Sequence, residues 1–218
     1  ANNTTAQRSQ ADTSNARKIE ARCQVIQERE ERVMTAQQPH ASASDVVKIG
    51  VPVAIGAAVA IAIGVYGRLH DPTGFSVNIA GFGSPLGPKT WLTTVAFVLA
   101  LVQVGSALVM YGKVRVAAPP WIGTLHRWSG RLAVLAAVPV AVHCLYALGL
   151  QTTTPRVLMH SLLGTFFFGA FVTKMLLLTR RGLPGWLLPV VGGLVFAALV
   201  GLWLTSALWV FTTIGIPA

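Results

Sequence analysis

Two histidines in an apolar part of the chain, His143 and His160, lie on either side of a short polar stretch. They stand in VHCLYALGLQTTTPRVLMHS, residues 142–161, with apolar sequence beyond each of them. Neutral imidazole is a good ligand for haem iron, and two axial imidazoles give a low-spin centre suited to electron transfer. The pair therefore indicates a redox cofactor, provided that the elements carrying the two side chains hold them at the same depth.

Those elements are predicted to be membrane-spanning helices. The chain has 218 residues, 53% of them hydrophobic, and a mean hydropathy of +0.61. Five apolar segments each exceed the roughly 20 residues that a helix needs to cross the hydrocarbon. Their length and the lack of alternation with period two favour helices over strands. We predict an all-α integral membrane bundle with spans at about 46–67, 91–112, 128–149, 157–179 and 186–212.

The polar residues 1–45 are predicted to form a mostly disordered cytoplasmic tail. The segment carries equal numbers of basic and acidic side chains, so the whole net charge of +10 belongs to the membrane domain, 46–218. A second interpretation stays open, because Met34 begins a stretch that resembles an ordinary start and residues 1–33 would then be an upstream extension. Cys23 and Cys144 lie in different environments, so no disulfide is expected.

The basic residues cluster at the ends of the apolar segments, which is typical of membrane topology and lipid headgroup contacts rather than of nucleic-acid binding. With the N-terminus inside the cell, the inner helix ends carry eight basic residues and the outer ends three. The inner set is Lys48, Lys113, Arg115, Arg127, Arg131, Lys174, Arg180 and Arg181, and the outer set is Arg68, Lys89 and Arg156. This bias predicts a multi-pass cell-membrane protein with its N-terminus inside and its C-terminus outside.

On this topology the stretch GLQTTTPR, residues 149–156, is an outer turn between the third and fourth helices. At about 1.5 Å per residue, His143 and His160 both lie roughly 6–9 Å below the outer ends of their helices. The short turn makes the two helices antiparallel neighbours, so one haem b could be ligated from both sides. Gly164, on the same face as His160, would let the flat macrocycle approach, and Arg156 would pair with a propionate.

Other interpretations of the histidines remain open. An intramembrane histidine often forms a hydrogen bond between helices instead of binding a cofactor. His126 lies about 25 Å from His143 along the third helix, at the opposite face, and its only candidate partner is Met110. A second haem is therefore not expected, and His126 and Lys174 are interpreted as interfacial or lipid-facing residues.

The stretches GTLHRWSGRLAVLAAVPVAVHCLYALG, TPRVLMHSLLGTFFFGAFVTKM and LPGWLLPVVGGLVF resemble an uncharacterised actinobacterial family of five-helix membrane proteins, named only as a domain of unknown function. The resemblance covers residues 46–213. More distantly, the histidine pair is similar to membrane b-type cytochromes and ferric reductase-like transmembrane domains, which hold bis-His haems between helices. Those proteins usually have two haems and four ligand histidines, whereas this chain has one such pair.

The expected function is a single-haem membrane cytochrome b that passes electrons to or from a quinol or an extracytoplasmic redox protein. Both an electron-transfer cytochrome and an oxidoreductase subunit are compatible with the sequence. The alternative is a non-enzymatic accessory or scaffold subunit of a larger membrane complex, such as a respiratory complex, with no haem. A transporter or channel is disfavoured because the spans contain no acidic residue and no obvious inverted repeat.

Overall fold

The computed structural model describes residue 22 and residues 24–30, 43–75 and 82–217. These residues form helices and their connections, without strands, which confirms the all-α class. The chain divides into two units, residues 1–44 and 45–218. In the first unit, residue 22 and residues 24–30 are helical and exposed. The predicted disorder of the tail, and the extension at 1–33, fall almost entirely outside the described residues.

The second unit contains five helices that are long and apolar enough to cross a membrane, as the sequence predicts. Two of them change to π-helical geometry partway along. The helices are α1 (Ala43–Leu69), α2 (Leu86–Met110), α3 (Ile122–His143, continued by the π-helix Cys144–Leu148), α4 (Pro155–Leu178) and α5 (Leu187–Trp203, continued by the π-helix Leu204–Leu208 and a last turn, Trp209–Thr213). The side of the membrane on which each terminus lies stays a prediction.

Two helices begin five or more residues earlier than the apolar pattern suggests. Helix α2 begins at Leu86, five residues before the expected start, and includes Pro88 in its first turn. Proline is tolerated there because the N–H groups of a first helical turn have no intrahelical acceptor. Helix α3 begins at Ile122 rather than near residue 128, so His126 lies within its second turn.

The outer surface of the bundle is apolar. Between 11% and 28% of the residues in each span are buried within the chain. Leu135, in the middle of α3, is 68% exposed. A continuous apolar surface of this extent is not stable against water and requires a lipid bilayer. The chain is therefore a multi-pass membrane protein.

Helix pairing leaves a gap inside the bundle. Helix α2 packs along α3, α4 packs along α5, and α2 also contacts α5. The buried cluster of Ala100, Phe167, Ala198 and Leu199 joins α2, α4 and α5. Helices α3 and α4, which carry the two histidines, make few direct contacts with each other. Both contribute instead to the wall of a cavity.

Helix α1 crosses α4 at two glycines. A Cβ atom on Gly169 would lie 2.6 Å from the carbonyl oxygen of Gly56 and 2.8 Å from Cβ of Ala60. One turn further, the Thr173 hydroxyl donates to the carbonyl oxygens of Gly169 at 3.0 Å and Pro52 at 3.3 Å. Small residues permit this close backbone approach, which is the usual way for helices to associate in a bilayer.

Candidate functional site

A cavity of about 370 Å³ lies within the bundle, and all five helices contribute to its wall. We call the end of the bundle at which residues 149–154 connect α3 to α4 the turn end; the cavity lies toward this end, since Gly149, Leu150 and Gln151 line it. Its lining is mainly apolar, and Ala96, Phe167 and Leu199 form the part of the wall that is farther from the turn end. The polar groups in the wall are Lys89, Thr90, Thr93, Cys144, Gln151, Arg156, His160, Ser161, Thr165, Thr205, Ser206 and the indole of Trp209. Apolar walls with a few polar groups, at this size, are typical of a small-molecule site.

Both π-helical segments border this cavity. Cys144, Leu145 and Leu148 line it from α3, and Thr205 and Ser206 line it from α5. A π-helical turn accommodates an extra residue and turns the side chains after it, and such turns are frequent at functional sites. The two departures from regular helix therefore both occur in the wall of one cavity.

His160 lies in the wall of the cavity and is held by α5. Its Nδ1 is 3.0 Å from the Thr205 hydroxyl oxygen. Where that hydroxyl donates to the carbonyl oxygen of Gly201, at 2.7 Å, it accepts from Nδ1–H of the imidazole. In this tautomer the lone pair of the neutral ring is on Nε2. A histidine whose Nδ1–H is held by an acceptor in this way is prepared to bind a metal through Nε2.

Arg156 lies one helical turn before His160 and also lines the cavity. Its Nη1 donates to the carbonyl oxygen of Thr205 at 2.7 Å. Its guanidinium carbon lies 3.9 Å from the centre of the Trp209 ring, a cation–π contact. These two contacts fix the side chain and use one of its five N–H donors, so the others remain for a ligand.

His143 is placed beside the cavity rather than in its wall. The wall on this side includes Val140 and Cys144, while His143 is not among the lining residues. Its Nε2 is buried and has no hydrogen-bond partner among the described residues. His143 lies five residues before Leu148, the end of its helix, and His160 lies five residues after Pro155, the start of α4. The two histidines therefore lie at matched depth. Ligation from α3 requires the His143 imidazole to enter the cavity between Val140 and Cys144.

The structure thus brings three of the four predicted site residues, Arg156, His160 and Gly164, to one cavity. A Cβ on Gly164 would meet only Leu202 Cδ2, at 3.9 Å, so there is open space beside this glycine. His143 adjoins them as described above. The structure carries no test of the haem itself, which stays a prediction.

Two residues at the site escaped the sequence reasoning. Lys89, assigned there only to topology, lines the cavity from the first turn of α2. Thr205 has no local signal of a role, because its partner His160 is 45 residues away in sequence. For Lys89 a signal existed, since it is one of only three basic residues predicted at the turn end.

The connection between α3 and α4 is built by its local sequence. Gly149 has φ +68°, and a Cβ there would lie 2.9 Å from the carbonyl oxygen of Gly67. The same carbonyl accepts the N–H of Leu150 at 2.6 Å. Thr154 caps α4, because its hydroxyl accepts the N–H of Val157 at 3.3 Å, and Pro155 occupies the first helical position. The sequence TTTP therefore fixes where α4 starts and how far His160 lies from it.

The segment after α1 closes over the π-helix Cys144–Leu148. The carbonyl oxygen of Tyr146 accepts hydrogen bonds from His70 Nε2 at 3.1 Å and from the Thr73 N–H at 3.3 Å. The His70 ring stacks between Tyr66 and Tyr146, at centroid distances of 5.0 and 5.3 Å. These bonds satisfy carbonyl groups that a helix end leaves open. They also hold α1 to the rim of the cavity.

A second polar cluster lies toward the other end of the bundle. His126 Nδ1 is 2.9 Å from the Ser106 hydroxyl, which is buried. The amide nitrogen of Gln103 donates to the His126 carbonyl oxygen and, at 2.9 Å, to Ser129. The cluster joins α2 to α3. The absence of a second haem at His126 stays a prediction.

The chain belongs to a family of unknown function, DUF6529, whose match covers residues 49–218. The expected membership of an uncharacterised family is thereby confirmed. No curated protein and no solved structure matches the chain. The similarity to b-type cytochromes and the actinobacterial origin stay predictions.

Proposed function

We propose that this member of the family holds one haem b between α3 and α4 and serves as a membrane electron-transfer cytochrome. His160 and His143 would be the axial ligands, Arg156 a propionate partner, and Gly164 part of the cavity wall. The observation that carries the proposal is the state of the two imidazoles at matched depth. One has its Nδ1 3.0 Å from the Thr205 hydroxyl oxygen, and the other has a buried Nε2 without a partner among the described residues.

A buried polar nitrogen without a partner is unfavourable by about 1–3 kcal/mol. Ligation of iron would remove that cost at His143. The gap between α3 and α4 supports the same conclusion, since two helices joined by a short turn would otherwise be expected to pack directly. The haem supplies a reversible one-electron couple. The chain would supply the ligands, an apolar surrounding and a cavity that lies toward one end of the bundle.

The partner would then be a quinol or an extracytoplasmic redox protein. The cavity lies at one end of the bundle, and the polar cluster at His126 contributes nothing to its wall. An electron on this haem would exchange with a donor and an acceptor at the turn end. The predicted topology places that end outside the cell.

The second candidate is an accessory or scaffold subunit of a larger membrane complex, without haem. One observation favours it. The bond between His160 and Thr205 joins α4 to α5 and by itself accounts for a polar residue in the membrane. On this alternative His143 has no function in ligation.

An absorption spectrum of the detergent-purified full chain separates the two. Cells supplied with a haem precursor should yield protein with a sharp reduced b-type α-band and about one haem per chain. His143→Ala and His160→Ala should each lose the bound haem, while His126→Ala, a matched histidine outside the cavity, should keep it. A colourless wild-type protein, or a double variant with the full spectrum, would overturn the proposal and favour the accessory subunit.

A further inference from the structure

The cavity carries two positive charges near the turn end and none of the opposite sign. Lys89 lies in the first turn of α2 and Arg156 in the first turn of α4, and both line the cavity. Helices α2 and α4 run in the same direction across the membrane, so their first turns lie at the same end. No acidic side chain lines the cavity among the described residues, and Asp71, outside it, is exposed.

The two cations differ in how much of their binding capacity is in use. Arg156 donates to the Thr205 carbonyl and stacks on Trp209. Lys89 is half-buried and makes no hydrogen bond or ion pair with a described residue. A partly buried ammonium group that contacts no acceptor still has its N–H donors available for an anionic partner. The pair is therefore suited to an anion that enters from the turn end.

The rest of the cavity restricts the kind of ligand that can carry this anionic group. Below Lys89, α2 presents Thr90 and Thr93 and then Ala96, about 10 Å deeper, where the wall becomes apolar. His160 lies one turn, about 6 Å, below Arg156. A ligand with two carboxylates at one edge and a flat apolar body matches this order of charge, polar rim and apolar floor.

We propose that Lys89 and Arg156 together form a carboxylate clamp that orients an amphipathic dicarboxylate, with its anionic edge toward the turn end and its apolar body against α2, α4 and α5. The inference rests on the proposed function in one respect, since the propionates of haem are the dicarboxylate that it implies. It adds a second anchoring residue, Lys89, and the orientation of the macrocycle. The clamp itself needs neither iron nor imidazole ligation.

The test uses metal-free protoporphyrin IX, whose binding to the detergent-purified full chain is followed by porphyrin fluorescence. Because this probe has no iron, its affinity reports the clamp without the axial ligands. Lys89→Met should weaken binding by about tenfold, as expected for the loss of one charge-assisted contact. Lys113→Met, which removes an exposed lysine at the other end of α2, is the matched control and should bind like the wild type.

Two further arms make the result specific. The dimethyl ester of the same porphyrin keeps the apolar body and loses both charges, so it should bind the wild type weakly and show no difference between wild type and Lys89→Met. Lys89→Arg, which keeps the charge, should restore binding of the free acid. Arg156→Met is not used as a single variant, because the contacts of Arg156 with α5 also stabilise the fold.

Equal affinity of the wild type and Lys89→Met for the free acid would overturn the clamp, and so would equal affinity of the wild type for the acid and its ester. Competition with an excess of anionic phospholipid gives a further outcome. If the phospholipid displaces bound porphyrin from the wild type as effectively as unlabelled free-acid porphyrin does, the clamp is also overturned, since the anion site would then belong to a lipid phosphate. These outcomes are separate from the haem spectrum. A chain that binds haem through both histidines but shows no effect at Lys89 keeps the proposed function and loses the clamp.

Discussion

The hydroxyl of Thr205 provides the sharpest test of how His160 is prepared for ligation. Thr205→Val keeps the shape of the side chain and removes the oxygen that lies 3.0 Å from Nδ1. The Nδ1–H donor then loses its acceptor at a part-buried site, which costs about 1–3 kcal/mol. In metal sites, loss of such a supporting partner lowers affinity by about 10- to 100-fold. That range corresponds to about 1.4–2.7 kcal/mol, so the two estimates agree.

The assay is the rate at which haem leaves the purified protein for an excess of a soluble haem-scavenging protein. Thr205→Val should release haem at least about tenfold faster than the wild type. Thr205→Ser keeps the hydroxyl and should release it at nearly the wild-type rate. Thr212→Val is the matched control, because the Thr212 hydroxyl also donates to backbone carbonyls in the last turn of α5 but is exposed.

The reasoning fails if Thr205→Val and Thr205→Ser release haem at the same rate. The hydroxyl would then have no part in fixing the ring, and the bond to Thr205 would serve only the packing of α4 on α5. A change of rate in Thr212→Val as large as that in Thr205→Val would also refute it, since the effect would then belong to the helix end and not to His160.

Two further predictions concern the fold. Gly169→Ala should lower the free energy of unfolding by about 1–3 kcal/mol, because its Cβ would lie 2.6 Å from the Gly56 carbonyl oxygen and the two helices must separate. The control is Gly192→Ala, whose Cβ meets nothing within 4 Å and which should be neutral or stabilising. Equal effects of the two variants in thermal unfolding in detergent would contradict the close crossing. For topology, a reporter active only outside the cytoplasm should be active when fused after Pro217 and inactive when fused before Val46; the reverse pattern would place the cavity at the inner face.

The sequence was sufficient to predict the spans because each depends on local composition. About 20 apolar residues in a row can only be a membrane helix or a buried one, and the five runs leave no room for a soluble core. The starts of α2 and α3 were less predictable. Pro88 and Gly87 favour a loop by composition, yet both are compatible with the first turn of a helix, and the choice depends on packing against Phe82.

The candidate site was predictable only in the parts that follow from depth. Counting residues from the turn places His143 and His160 at matched depth, which the helix bounds reproduce. The rotation of each helix about its axis depends on tertiary packing and on the π-helical turns, neither of which the sequence pattern reports. For this reason His160, Arg156 and Gly164 share a cavity, whereas His143 lies just beside it.

The placement of the cavity constrains any electron route through this chain. The hydrocarbon is about 30 Å thick, and the cavity occupies the part of the bundle near the turn end. The described residues toward the other end offer a hydrogen-bonded cluster around His126, which lies outside the wall of this cavity. A haem at His160 would therefore receive and return its electrons on the same side of the membrane, unless a partner subunit supplies another carrier. The proposed electron transfer thus requires a redox partner at the turn end. The surface of this chain at the turn end includes His70 and the end of α3.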